Sequence, residues 1–463
     1  MYNETNIKIT GGNVMKKKIL AMLLSAMLVT ALLVGCGGNG GDAPEPAPAD
    51  AEETETAEEV EVDEPGDEEV LAEPDEMVRL YVLATIGSGS RRMEELIPMF
   101  AEEGIEIILE AYDFVTYAGR QRLAIAAGGG EFDLIFMPAD AVQIAARAGA
   151  IMDITDIMSA VHTDLSDVYE SVLSYAMDDE GRWWIAPHSA ETMVLYYRTD
   201  LIDEADLPTT LDELHALALL HTNDETYGLG IPAGPGEGAS SFYSYFLWSY
   251  GGDFFDENWE PTLNTPEALA AVERFASLVQ EVGPPGSTTW QNEETVSAFQ
   301  SGSLAMMLMW PGFFGASNDP EVSEVAGYIA VTPIPAGPNG ARPRFGSWGL
   351  TVSASTQNVE AAKRVVAFWG SHENLETFSS FLSTASRSVN ERVIEEGVMP
   401  TMAAIAASLP YARERPHIPE QVEVNTAIGN AINSIIAGMD AEPVLDALNA
   451  EVRAIMEAAG YYD

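Results

Sequence analysis

The side chains most often used in catalysis lack, in this sequence, the spacing that catalysis or metal binding requires. The 463 residues include a single cysteine, Cys36, and six scattered histidines with no H-E-x-x-H or other metal-ligand pattern. There is no Gly-x-Ser-x-Gly elbow and no Walker loop. The 73 acidic residues are so widely spread that no pair of them indicates acid–base chemistry. We therefore predict that the protein is not an enzyme and has no catalytic residue, metal or cofactor.

The eight tryptophans favour solute binding, because several of them adjoin glycine or proline in predicted loops. A flat indole ring can cover the apolar face of a sugar, while carboxylates, arginines and amides bond to its hydroxyl groups. Such a site discriminates between solutes because a buried polar group left unpaired costs free energy.

The N-terminal region has the order of a secretory signal peptide: a basic Lys16-Lys17-Lys18, an apolar run of 15 residues from Ile19 to Leu33, then small residues. The apolar run is short for a membrane-spanning helix. Leu33-Val34-Gly35-Cys36 resembles the bacterial lipobox, in which the chain is cleaved before the cysteine and the thiol is acylated, for example with palmitate. We expect translation to start at Met15 and Cys36 to anchor the protein to a membrane surface. An uncleaved membrane anchor is the alternative.

Residues 37–78 contain 17 acidic residues, no lysine or arginine, and repeated proline and alanine. This composition predicts a disordered, extended linker. The whole chain has a formal charge of −51, and Lys363 is the only lysine after residue 78. Nucleic acid is excluded as a partner, since phosphate binding needs clustered lysine and arginine. The charge also suggests a saline habitat.

Residues 77–148 alternate between predicted strands and helices. The pattern predicts strands at 77–83, 105–109 and 132–137, and helices at 91–102, 117–127 and 140–148. Strands that are nearly continuously apolar and alternate with helices indicate a parallel α/β sheet.

Several motifs then carry a resemblance to family 1 of the extracellular solute-binding proteins, the carbohydrate receptors of ABC importers that include maltose-binding protein. They follow one another in the order of that family from about residue 79 to the C-terminus: FDLIFMPAD (132–140), AGAIMDIT (148–155), LYYRTDL (195–201), LPTTLDEL (207–214), AFQSGSLAM (298–306) and FGSWGL (345–350). Two departures are visible. Leu211 replaces a usual tryptophan, and Trp310-Pro311-Gly312 reverses the usual order of glycine, proline and tryptophan.

The resemblance implies an α/β fold of the periplasmic-binding-protein-like type II, with two α/β lobes joined by a three-crossing hinge. The N-terminal lobe would be 79–188 plus 331–383, and the C-terminal lobe 189–330 plus 384–463. We expect a lipid-anchored monomer on the extracellular face of the cell membrane, on the periplasmic side if the organism has an outer membrane. It would close its lobes over a sugar or polyol and deliver it to ABC transporter permease subunits.

The resemblance also suggests ligand-binding residues. Trp348 is the best candidate for stacking on a sugar, followed by Trp310 and Trp290. Asp140 and Glu191 align with ligand acids, although Asp140 also suits the N-cap of the helix that follows it. The remaining candidates are Arg387 at the third crossing, His188 beside Pro187, and Ser88 at the start of the first helix, where backbone N–H groups face the cleft.

Two alternatives remain open from the sequence. The chain could be a surface-tethered carbohydrate-active enzyme, which product analysis on oligosaccharides would detect. It could also be the same receptor fold with a charged or other non-sugar solute, although the negative body disfavours an anion.

Overall fold

The computed structural model describes residues 77–379 and 383–462. The predicted signal peptide, Cys36 and residues 37–76 of the acidic linker lie outside this part of the chain. Across the described ranges, no helix is both long and apolar enough to cross a membrane.

The described residues form eleven strands and sixteen α-helices. The strands are β1 (Val78–Thr85), β2 (Ile105–Tyr112), β3 (Leu134–Pro138), β4 (Ala186–Pro187), β5 (Glu191–Thr192), β6 (Val194–Arg198), β7 (Tyr227–Gly230), β8 (Leu304–Met309), β9 (Ile329–Pro333), β10 (Phe345–Gly346) and β11 (Trp348–Val352). The helices are α1 (Ser88–Glu102), α2 (Phe114–Ala126), α3 (Ala139–Arg147), α4 (Thr155–Val161), α5 (Glu170–Ala176), α6 (Leu211–Leu220), α7 (Glu237–Ser249), α8 (Pro266–Val282), α9 (Asn292–Gln300), α10 (Phe314–Ser317), α11 (Val359–Trp369), α12 (His372–Phe378), α13 (Arg387–Glu396), α14 (Met402–Ser408), α15 (Gln421–Ile436) and α16 (Ala441–Ala458).

The first sheet has the strand order β2-β1-β3-β11-β4. β1 runs parallel to β2 and β3, whereas β11 runs antiparallel to β3 and β4. Residues 134–137 of the central strand β3 are all buried, as expected for a strand covered on both faces. The carboxyl ends of β1, β2 and β3 are followed by α1, α2 and α3, so the first turns of these helices lie at one edge of the sheet.

The second sheet has the strand order β7-β8-β6-β9. β8 is buried along all six residues and runs parallel to β7, while β6 runs antiparallel to β8 and β9. Helix α6 begins with a capping box in which Thr210 and Glu213 satisfy each other's backbone N–H groups. This helix start lies within the LPTTLDEL motif at residues 207–214.

The chain passes between the sheets at short paired segments. After β4 it forms β5, which pairs with β10 through Glu191–Gly346 and Thr192–Phe345, before it enters β6. It leaves the second sheet after β9 and returns to the first at β11. β9 spans the predicted boundary at residues 330 and 331 and pairs with β6 along its whole length. The limits of the two lobes stay a prediction.

The mixed α/β architecture predicted from the sequence is confirmed, and the predicted elements between residues 77 and 148 are all present. Helix α1 begins at Ser88, three residues before the predicted start at Arg91. The reason is local, because the Ser90 hydroxyl accepts a hydrogen bond from the Gly87 N–H at 3.0 Å and so supports the first turn.

Candidate functional site

The candidate site lies where the carboxyl ends of the first-sheet strands meet residues 344–348, which we call the bridging segment. Trp348 pairs with Pro138 at the end of β3, and Gly346 pairs with Glu191 of β5. In open α/β sheets, ligands bind beyond the carboxyl ends of the strands. The bridging segment therefore brings residues from both sheets to the place where a solute is expected.

Three aromatic side chains form one wall of the site. The Trp348 ring lies 5.6 Å from the Tyr117 ring and 6.5 Å, edge to face, from the Phe114 ring, measured between centroids. Tyr117 is fully buried and donates its hydroxyl hydrogen to the Phe136 carbonyl, whereas Phe114 is exposed and Trp348 is half-buried. The buried tyrosine therefore fixes a wall whose outer rings stay accessible.

Four charged residues, which we call the charged cluster, lie beside this wall: Asp140, Glu237, Arg344 and Arg415. Arg415 donates to Asp140 Oδ2 at 3.0 Å and to both carboxylate oxygens of Glu237 at 3.0 Å. Arg344 donates to the same oxygen of Asp140 at 3.3 Å and to Glu237 Oε1 at 3.1 Å. The cluster holds two acids and two bases, so its formal charge is zero.

The two acids lie in helices that follow strands of different sheets. Asp140 lies in the first turn of α3, directly after β3, and Pro138 occupies the N-cap position of that helix. The alternative role of Asp140 as the N-cap is therefore wrong. Glu237 opens α7, which follows β7 of the second sheet. Helix α15 packs directly against the start of α7, since a Cβ on Gly429 would lie 1.8 Å from the Gly236 carbonyl oxygen.

The cluster keeps its charges despite burial. Burial raises the pKa of Asp140, but the guanidinium groups of Arg415 and Arg344 outweigh it, and the pKa falls below its ordinary value. Burial, together with the charge of Arg415, lowers the pKa of Arg344 to about 10, which leaves it protonated at neutral pH. Burial also opposes the charge of Arg415, but Glu237 and Asp140 raise its pKa.

Trp310 lies on the second-sheet side of the bridging segment. It follows β8, and its carbonyl accepts a hydrogen bond from the Tyr196 hydroxyl at 2.9 Å. The Arg344 guanidinium lies 5.4 Å from the centre of the indole ring, a cation–π contact. Gly346 lets the ring approach the backbone, since a Cβ there would come within 2.6 Å of Trp310 Cζ3.

Glu191 is the other carboxyl group of the site, and its environment is different. It is half-buried in β5, and burial raises its pKa from 4.5 to about 7. Its charge raises the pKa of Tyr196, which burial has already raised, so the carboxyl lies near the tyrosine that holds Trp310. Among the described residues, no cation lies within ion-pair distance of Glu191. Near neutral pH this carboxyl can therefore both donate and accept a hydrogen bond.

With this geometry in place, comparison with known proteins identifies the family. The sequence model of the bacterial extracellular solute-binding proteins matches residues 87–376. The chain belongs to this family.

Individual relatives agree with this assignment. The solute-binding protein is 30% identical to a binding protein of Brucella abortus over 300 residues, which cover 62% of this chain and 71% of the relative. It is 27% identical to the mannitol-binding protein of Pseudomonas aeruginosa over 306 residues, 63% of this chain and 68% of that one. Its fold is similar to that of a solute-binding protein from Agrobacterium radiobacter solved with ribitol: the TM-score is 0.74 at 24% identity, with 83% of this chain and all of that one covered.

The solute-binding protein places His188 and Ser88 at an aromatic group behind the wall. The His188 ring is buried between Phe136, Trp369 and Phe378, with centroid distances of 5.1–5.9 Å. Burial lowers the pKa of His188 to about 3, so its ring is neutral. Its backbone N–H donates to the Trp348 carbonyl at 3.0 Å. The half-buried Ser88 precedes Gly89, whose Cβ would lie 3.6 Å from His188 Nε2.

Arg387 and Trp290 lie at other places. The exposed Arg387 opens α13, and its guanidinium lies 4.4 Å above the Tyr169 ring. Trp290 is half-buried, and its carbonyl accepts hydrogen bonds from Ala233 and Gly234, just before α7. Of the eight predicted ligand residues, the bridging segment thus gathers Asp140, Glu191, Trp310 and Trp348. All eight ligand roles stay predictions.

Sequence reasoning missed five residues of the site: Phe114, Tyr117, Glu237, Arg344 and Arg415. Phe114 and Tyr117 occupy the first turn after β2, the position that Asp140 occupies after β3, and this position at a strand end is the signal that could have found them. Arg344 lies next to the recognised FGSWGL motif. For Arg415 the only signal was a basic pair, Arg413 and Arg415, in a strongly acidic chain.

The side chains of the described ranges also limit what else the site can hold. Among those residues, no group of three or more histidine, cysteine, aspartate or glutamate side chains could hold a metal ion. The polar groups of the site are carboxylates and guanidinium groups, which recognise hydroxyl groups by hydrogen bonding.

Proposed function

We propose that this protein captures a neutral sugar or polyol outside the cell and passes it to an ABC importer. The observation that carries the proposal is the charged cluster next to the aromatic wall. Asp140 and Glu237 offer carboxylate acceptors for hydroxyl groups, and the two arginines balance their charge, so the charged cluster has no net formal charge that would favour a cation or an anion. Trp348 and Phe114 offer apolar faces for C–H groups.

The relatives support the same class of solute. One of them is a mannitol-binding protein, and the Agrobacterium protein of similar fold was solved with ribitol. The proposal has three further parts. The two lobes close over the solute, the protein acts as a monomer, and it delivers the solute to permease subunits. The protein would return its solute chemically unchanged, which chromatography of maltose oligosaccharides after prolonged incubation would test.

Direct binding measurements test the proposal. Mannitol, ribitol, maltose and glucose would be compared with two charged analogues, gluconate and glucosamine, by thermal shift and calorimetry. A bound solute at a hundred times its Kd stabilises the folded state by about 2.7 kcal/mol. We expect at least one neutral compound to raise the unfolding temperature and its charged analogues to have little effect. Stabilisation by the charged compounds alone would overturn the proposal.

We also propose that Cys36 is acylated and that residues 37–78 hold the folded body away from the membrane on the extracellular face. The Cys36→Ala variant should bind the same solute with unchanged affinity but appear in the medium or the soluble extracellular fraction. Uptake of labelled solute should fall, because the receptor loses its high effective concentration near the permease. Uptake at the wild-type rate would show that the anchor is incidental.

A further inference from the structure

We propose that Arg415 is the positioning residue of the solute site. It holds the carboxylates of Asp140 and Glu237, which lie in helices that follow strands of different sheets, in the single arrangement that the solute meets. This inference rests on the proposed function, because it concerns how that site recognises hydroxyl groups. Arg415 acts through the two acids, which are the groups that contact the solute.

The hydrogen bonds of Arg415 give it this role. Its two terminal nitrogens make a bidentate pair with Glu237, and Nη2 also donates to Asp140 Oδ2. A planar guanidinium fork fixes both the distance and the orientation of carboxylates, which a lysine ammonium cannot do. Without it, only Arg344 would offset the repulsion between the two carboxylates, and α3 and α7 would lose the shorter of their two ionic links.

The exposed fractions of the side chains distinguish the residue that positions the carboxylates from the residues that bind the solute. Only 2% of the Arg415 side chain is exposed, whereas 28% of Asp140 and 40% of Glu237 are exposed. The acids therefore face outward and the arginine lies behind them. Within the described part of the chain, the buried Nε of Arg415 has no acceptor.

Arg344 has a different place in the cluster. Its Nη1 is shared between Glu237 and Ser241, its bond to Asp140 is longer at 3.3 Å, and its guanidinium also lies against Trp310. The backbone segments that carry the two arginines are joined, since the Phe345 N–H donates to the Arg413 carbonyl at 2.8 Å and the Arg413 N–H to the Pro343 carbonyl at 2.9 Å. Arg415 is thus the more buried residue and the one with the stronger set of bonds to both acids.

The test compares Arg415→Lys and Arg415→Met with Asp140→Asn, the double variant Asp140→Asn with Arg415→Lys, and a control, Arg453→Met. Arg453 is matched in type because it also bonds to two acids, Glu260 and Glu457, but 45% of its side chain is exposed. Affinities for ribitol and mannitol are measured by calorimetry. Amide hydrogen exchange of the full chain without ligand is followed from Ala139 to Gln143 and from Ala239 to Phe242.

Loss of the fork should raise the Kd for a bound probe on the order of tenfold or more in Arg415→Lys, and less than about twofold in Arg453→Met. Because Arg415 acts through Asp140, the double variant should lose little more affinity than Asp140→Asn alone. Exchange at the starts of α3 and α7 should quicken on the order of tenfold in Arg415→Lys and stay unchanged in the control. If Arg415→Met does not fold, Arg415→Lys alone decides the outcome.

Failure of the positioning role and failure of the proposed function give different results. Consider first that the wild type binds a probe. If Arg415→Lys keeps the wild-type affinity, or if its loss of affinity adds fully to that of Asp140→Asn in the double variant, the positioning role is overturned and the proposed function stands. If the wild type binds neither probe, the proposed solute class is in doubt and the exchange data decide the positioning role. Faster exchange confined to the two helix starts supports it, and exchange equal to that of Arg453→Met overturns it.

Discussion

Asp140 and Glu191 are two carboxyl groups on either side of the bridging segment, and they lie in opposite electrostatic settings. Asp140 is paired with two arginines, and its pKa is lowered in spite of burial. Glu191 has no neighbouring cation among the described residues, and burial raises its pKa to about 7. Near neutral pH one carboxyl is a fixed acceptor, and the other exists as a mixture of charged and neutral forms. The site therefore offers a solute two different kinds of oxygen.

The difference arises from the residues that each acid faces on its own side of the bridging segment. Asp140 faces Arg344 and Arg415, whereas Glu191 lies opposite Gly346, which contributes no side chain. Burial is common to both acids, so a nearby positive charge decides the direction of the pKa shift. Three substitutions separate these contributions. The first removes the acid that pairs with the arginines, the second disturbs the packing of the bridging segment, and the third removes the titrating carboxyl group.

The largest effect is expected from Asp140→Ala. It leaves Arg344 and Arg415 close together and short of a counter-charge, so the free energy of unfolding should fall by about 2 to 5 kcal/mol. Urea unfolding at pH 7 measures the change. The control is Asp446→Ala, which removes an exposed acid bonded to Asn264 and should cost under about 1 kcal/mol. Equal losses in the two variants would contradict the view that Asp140 is an essential partner of the arginines.

A smaller effect is expected from Gly346→Ala, which disturbs the packing of the bridging segment between the two acids. The added methyl group would overlap the Trp310 ring, so the free energy of unfolding should fall by about 1 to 3 kcal/mol and tryptophan emission should shift. Gly312→Ala, two residues beyond Trp310, is the control, since a Cβ there meets no atom within 4 Å. An unchanged emission spectrum in Gly346→Ala would show that Trp310 does not depend on this contact.

The smallest effect is expected from Glu191→Gln, and it depends on pH. The pKa of Glu191 is higher in the folded protein, about 7, than its ordinary value of 4.5. Between these values the folded chain holds a proton that the unfolded chain has released, so the wild type loses stability as the pH rises from about 4.5 to about 7. The variant lacks this loss, and its advantage over the wild type should grow by on the order of 1 kcal/mol between pH 5 and pH 8. Unfolding curves with the same pH dependence for both proteins would contradict the raised pKa.

The sequence allowed some parts of this structure to be predicted and not others. Strands such as β3 and helices such as α3 follow from apolar periodicity, which is local, whereas Asp140 was predicted from the resemblance of the segment around it to the family. The partner of Asp140 could not be found in this way, because Arg415 is 275 residues further along the chain and its burial depends on how α7 and α15 pack. For the same reason the sequence could not distinguish Asp140 from Glu191, since their opposite pKa shifts arise from tertiary contacts.

The long separation between Asp140 and Arg415 also has a consequence for biogenesis. The charged cluster cannot form until the chain is complete beyond residue 415, because its innermost arginine comes from the C-terminal region. Contacts between distant segments form slowly, since a long loop must close before they stabilise anything. A polypeptide still in the process of synthesis would hold an early first sheet but no completed site. The charged cluster is therefore completed only after the strands of both sheets have been synthesised, since the last of them, β11, ends at Val352.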